Sequence, residues 1–158
     1  MRRSEAARLR WEHIDLGART LTVPETKNGD PLVLPLSDFV FQLLRERRGH
    51  IQASPWVFPA DSRTGHLQEP KKWASAVSRS SGVQFTLHDL RRTFITVAEG
   101  LDFSAYALKR LLNHREGGRD VTAGYVVLDV ERLRKPMERI SGRLLQLCDP
   151  HEPERMRQ

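Results

Sequence analysis

The chain carries one cysteine, Cys148, among 158 residues. A lone thiol excludes an internal disulfide and any zinc cage built on paired cysteines. Late in an apolar-periodic stretch, Cys148 reads as a small hydrophobe. Long hydrophobic runs are missing too. None approaches the roughly 18 apolar residues of a membrane span, and no signal peptide precedes the first motif. The expected compartment is the cytoplasm, with no membrane partner. Tyrosine occurs only twice, and neither an internal repeat nor a low-complexity segment is present. The length fits one domain with a real core.

What the chain has is positive charge. It holds 26 Lys+Arg against 20 Asp+Glu, a net +6, and its pI is about 10.1. Most of the basic residues are arginine, whose planar fork suits bidentate phosphate contacts. A basic domain without a membrane signature favours a nucleic-acid partner.

Residues 1–11 read as a helix with no beginning, which leads us to expect further sequence upstream. Thr20-Leu-Thr-Val23 alternates as a strand, and Pro24, lacking an N–H, suggests an edge position. Asn28-Gly29 is a strong hairpin signal with Pro31–Leu36 as the return strand, placing Lys27 at the tip. Ser37-Asp38 caps a helix ended by Gly49. Trp56–Phe58 reads as a short buried strand. Glu69-Pro70 opens a helix through Val77 with Trp73, Ala76 and Val77 as its apolar side. Thr86 caps the next helix, which stops at Gly100, and Ser104 starts another. Asp129–Leu147 is a long amphipathic helix through Pro136, and residues 149–158 form a polar tail.

Four side chains between Leu87 and Val126 suit phosphate chemistry. His88 and Arg91, three apart on a helix, share a face. Such an Arg can hold two phosphate oxygens, and the His can donate a hydrogen bond or shuttle a proton; the plainer alternative is a capping His beside a solvated Arg. His114, at a helix C-terminus, is favoured there by the dipole alone. No His-Glu-x-x-His motif or cysteine pair accompanies it, so no metal is expected. Tyr125 is by default a core tyrosine; as a nucleophile it needs cations nearby. Lys27 at a hairpin tip is ordinarily a solvated charge, but a mobile lysine can protonate a leaving oxygen.

Taken together and in order, these motifs resemble the tyrosine recombinase (phage integrase) family. The series is Arg2-Arg-Ser-Glu5, Thr-Lys27-Asn-Gly, Leu-His88-Asp-Leu-Arg91-Arg-Thr-Phe, Leu-Leu-Asn-His114 and Val-Thr-Ala-Gly-Tyr125. Each is weak alone; five in order across residues 2–125 are strong. The resemblance implies a mainly α (α+β) fold, a helical catalytic core with a small antiparallel sheet near its N-terminus. Residues 1–148 would form a truncated catalytic domain, because family members carry further helices and a DNA-clamping domain upstream.

The roles it implies are specific. Tyr125 attacks the scissile phosphate and forms a 3′-phosphotyrosyl link. Arg2 and Arg91 bind the non-bridging oxygens. His88 assists proton transfer, His114 hydrogen-bonds the phosphate and Lys27 protonates the departing 5′ oxygen. Glu5 supports the site. The family pattern puts the catalytic role on Arg2 and directs Arg3 elsewhere, and Arg91 rather than Arg92 keeps the spacing from His88. Asn113 stands where glycine is commoner in the family. No cofactor is implied. The partner is double-stranded DNA, with a homotetramer on DNA and a monomer in isolation. Two other readings stand beside it: a catalytically inert DNA-binding fragment of a recombinase, and a type IB topoisomerase-like enzyme.

Overall fold

A computed structural model describes residues 1–26, 29, 31–51, 53–113 and 130–149. The order is α1 (Arg3–Ala7), a 3-10 turn (Trp11–His13), β1 (Ile14–Asp15), β2 (Thr20–Val23), β3 (Leu32–Pro35), α2 (Asp38–His50), α3 (Lys71–Ser81), α4 (Leu87–Glu99), α5 (Ala105–Leu112) and α6 (Val130–Leu147). The architecture is the expected one: helices around a small antiparallel sheet in the order β1-β2-β3. No described helix is long and apolar enough to cross a membrane.

Alternation decides which face of the sheet is buried. Leu21 pairs with Leu34 and Val23 with Leu32, and all four are buried, whereas Val33 points out. A period of two allows this and no other split. Pro24 does not mark an edge strand as expected. β2 is the central strand, and Pro24 falls one residue beyond its end. Its missing N–H lies outside the ladder and so costs no hydrogen bond. The Trp56–Phe58 strand is likewise reduced to isolated bridges, Arg10 to Trp56 and Pro59 to His66, around a fully buried Val57.

The long helix α6 covers the sheet. Leu133 and Ile140, seven apart, are buried on one stripe and join the core with β3, α4 and α5. Polar bonds fix its register. Arg134 donates to the carbonyls of Ala18 at 2.8 Å and Arg19 at 3.2 Å. Glu138 accepts the Asp38 N–H at 2.6 Å, and the hydroxyls of Ser37 and Ser141 meet at 3.0 Å. The Glu138 contact takes up the first amide of α2, which has no partner within the helix, and Ser141 steadies Ser37, whose hydroxyl accepts the Val40 N–H.

α3 is rotated relative to the sequence expectation. Trp73 is 74% exposed and Val77 51%, while Ser78 is buried. The stripe that borders the cleft is Lys71, Ala74, Ser75, Ser78 and Arg79, a run at helical spacing that is small in its middle and basic at both ends. Hydrophobic periodicity pointed to the opposite face. It does not apply here because this stripe borders an open cleft rather than the core.

An Ile140→Ala chain should therefore lose about 2–5 kcal/mol of stability in chemical denaturation. Trp73→Ala should change it by no more than about 0.5 kcal/mol. Equal losses would show that α3 packs its tryptophan inward.

Candidate active site

Arg2, His88 and Arg91, three of the six residues expected at the site, line one open cleft of about 840 Å³ bounded by α1, α3 and the start of α4. The other three, Lys27, His114 and Tyr125, lie outside the described residues.

Local chemistry sets Arg2. It is the residue before α1, in extended backbone, and both its N–H and its guanidinium are taken up by Glu5. The side-chain contact is 3.1 Å, with the Glu5 side chain only 7% exposed against 33% for Arg2. Burial alone would raise the Glu5 pKa, but the two hydrogen bonds from Arg2 outweigh it and hold the carboxyl below its usual range. Glu5 therefore stays ionised and fixes the root of Arg2, leaving the remaining edges of the guanidinium free to bind a ligand.

α4 sets the other two. Its N-terminus is held by a reciprocal cap: the Thr86 N–H and hydroxyl donate to Asp89 at 2.8 and 2.6 Å, and Asp89 N–H returns to the Thr86 oxygen. One turn in, His88 is exposed and Arg91 is half-buried. Arg91 Nη2 donates to the Leu112 carbonyl at 2.7 Å, which ties α4 to the last residue of α5. Burial, then the nearby charge of Arg2, pulls the Arg91 pKa down, and Glu5 opposes them. Two guanidinium groups therefore sit near enough to repel, an arrangement that favours an anion between them. Arg92 is 71% exposed and pairs with Asp89 at 3.7 Å, so Arg91 is the arginine of the cleft, as its spacing from His88 implied.

Asn113, next after Leu112, caps α5 in the left-handed region with φ 52°. Glycine takes that conformation freely and asparagine more easily than most residues. Asparagine therefore meets here a backbone need that a glycine would also meet. On the other side of Arg2, Glu25 and Thr26 border a second depression that Arg2 and Glu5 also line.

Sequence reasoning directed Arg3 elsewhere and did not single out Glu69, Lys71 or Arg79 for the site, yet all four line the same cleft. For Lys71 and Arg79 the only signal was a basic residue at each end of one face of α3, with Ser75 between them, overshadowed by the apolar residues of the same helix.

The phage integrase family model matches residues 1–130. Prophage integrase IntF of Escherichia coli (strain K12) is 27% identical over 119 residues, covering 72% of this chain and 25% of that protein. A shufflon-specific DNA recombinase of Escherichia coli is 31% identical over 96 residues, 61% of this chain and 23% of its own. The chain therefore spans about a quarter of the length of these curated relatives. In structure it resembles an integrase from mycobacterium phage Brujita, with a TM-score of 0.65 and 24% identity over 86% of this chain and 45% of that one.

The Glu5 pairing makes stability depend on pH. A carboxylate whose folded pKa is depressed contributes stability above its unfolded pKa, and that contribution is lost as pH falls through the folded value. Glu5→Gln should cost about 1–2 kcal/mol near neutral pH. The gap from the parent chain should close on acidification below about pH 4. A gap that is constant with pH, measured by urea titrations, would mean that the Glu5 charge does not hold Arg2.

Proposed function

The chain belongs to the phage integrase family, and we propose that it breaks and rejoins duplex DNA at specific sites through a 3′-phosphotyrosine intermediate. The observation that carries this reading is the shared cleft of Arg2, His88 and Arg91, with each arginine anchored by one protein acceptor and open on its other edges.

In this reaction the Tyr125 oxygen attacks the scissile phosphorus. Its P–O bond forms as the bond to the 5′ oxygen breaks, and Lys27 supplies the proton that the 5′ oxygen takes. His88 helps remove the phenolic proton, and His114 hydrogen-bonds a non-bridging oxygen. Charge grows on the two non-bridging oxygens in the transition state. Arg2 and Arg91 are already oriented there, so little reorganisation is needed as the reaction proceeds. A 5′-hydroxyl of the partner strand then attacks the phosphotyrosine and reverses the bond changes. Because the ester conserves the phosphodiester energy, no nucleotide is consumed.

The substrate is double-stranded DNA, and the role is integration or excision of a mobile element in the cytoplasm. The assembly is a homotetramer on DNA formed from subunits that are monomeric when alone. The repulsion between Arg2 and Arg91 supports an anionic substrate, and the net charge of +6 supports a polyanion.

The test is a nicked suicide duplex carrying the attachment site, incubated with the chain and with Tyr125→Phe. The parent chain should form a covalent DNA–protein adduct, and the variant none. DNA binding without any adduct would instead make this chain an inert binding fragment. Lys27→Ala should slow cleavage, and a 5′-thio leaving group, which needs little protonation, should restore it. Failure of that rescue would overturn the general-acid role.

A further inference from the structure

Arg3 is next to Arg2 in sequence but has a different partner. Its Nη1 lies 3.2 Å from Glu69 Oε1. The second oxygen of that carboxylate, Oε2, holds Lys71 Nζ at 2.7 Å. One carboxylate thus bridges two cations, one oxygen each, and all three residues line the cleft that contains Arg2, His88 and Arg91. Glu69 also immediately precedes Pro70, the cap of α3, where the helix dipole favours negative charge. Hydrogen bonds from Lys71 and then its charge hold the Glu69 carboxyl below its ordinary pKa, so it is ionised at neutral pH. Arg3, Glu69 and Lys71 are all well exposed, and such pairs add little to folding stability. Stability therefore does not account for the bridge.

We infer that Glu69 is a resident counter-ion in the place of a backbone phosphate, and that Arg3 and Lys71 bind DNA phosphates flanking the one held by Arg2 and Arg91. This rests on the DNA reading above. A carboxylate and a phosphodiester present the same pair of anionic oxygens to a cation. The difference is that the duplex offers many phosphates in a row, so it displaces a single side chain by contacts along its length. While the cleft is empty, Glu69 keeps the two cations from binding other anions. When DNA arrives, each cation exchanges one oxygen partner for another and the Glu69 carboxylate swings to water. The exchange lowers affinity for any short or isolated anion more than for a duplex, because only the duplex recovers both contacts at once.

The experiment is fluorescence anisotropy of a labelled duplex of arbitrary sequence, titrated with the full chain over a series of NaCl concentrations. Glu69→Gln should bind about three- to tenfold tighter, as expected when two exposed ion pairs no longer compete. Glu99→Gln, at the other end of α4 and about 18 Å from its start, removes the same charge and should change affinity less than twofold, roughly the screened long-range effect. Arg3→Ala with Lys71→Ala should flatten the slope of log K against log salt by about 1.8 for two lost phosphate contacts. Adding Glu69→Gln to that pair should then give no further gain. The inference is overturned if Glu69→Gln matches Glu99→Gln, or if its gain survives in the double-alanine background. A parent chain that binds no duplex defeats the DNA reading and this inference together, whereas a parent that binds with Glu69→Gln unchanged defeats this inference alone. Circular dichroism melts confirm that each variant is folded before it is scored.

Discussion

Two arginines lining one cleft, each anchored by its own acceptor, are the constraint on which the candidate site depends. Arg2 and Arg91 repel, and Arg91 is half-buried as well. Each needs a fixed acceptor to stay in place without a ligand. The acceptors come from different parts of the fold: the Glu5 carboxylate one turn further along α1, and the Leu112 carbonyl at the end of α5. One acceptor is charged and local, the other neutral and 21 residues away. The first makes the position of Arg2 a property of a few consecutive residues. The second makes the position of Arg91 a property of how α4 and α5 pack, which in turn depends on α6.

The same logic of matched acceptors runs along the surface. Arg19 lies over the Phe41 ring at 4.4 Å and pairs with Asp38. Arg47 lies over Phe58 at 4.7 Å and donates to the Val57 carbonyl at 2.6 Å. Arg48 lies over Trp11 at 4.9 Å. These arginines lay their planes on aromatic faces and work as packing residues. A large basic count therefore does not translate into an equally large phosphate-binding surface. The cleft uses Arg2, Arg3, Arg79 and Arg91, whereas Arg19, Arg47 and Arg48 pack on aromatic rings elsewhere.

Much of this was legible in the sequence where local rules act. The Thr86 and Ser104 caps, the buried alternation of Leu21 and Val23, and the long stripe of α6 are short-range signals that tertiary packing left intact. The choice of Arg91 over Arg92 came from the family resemblance, and Arg91 does line the cleft while Arg92 is exposed. The rotation of α3 was not legible. Apolar periodicity assumes that the face with large hydrophobes turns inward, and Lys71, Ser75 and Arg79 take that place because the neighbouring space is a cleft. The Arg3–Glu69 pair was equally hidden, since it joins residues 66 positions apart that only the fold brings together.

The hydroxyl contact between Ser37 and Ser141 spans 104 residues, and the bond from Asp38 to Glu138 spans 100. Both close on α6, and so do the buried Leu133 and Ile140. The order of synthesis acquires a meaning from this. The sheet and α2 leave the ribosome before α6, with one side of β3 uncovered and the Asp38 amide unsatisfied until α6 arrives. Contacts of such long separation form slowly. The arginine cleft therefore takes its final shape only after α6 has been made. During synthesis the nascent chain presents scattered positive charge but not yet a site.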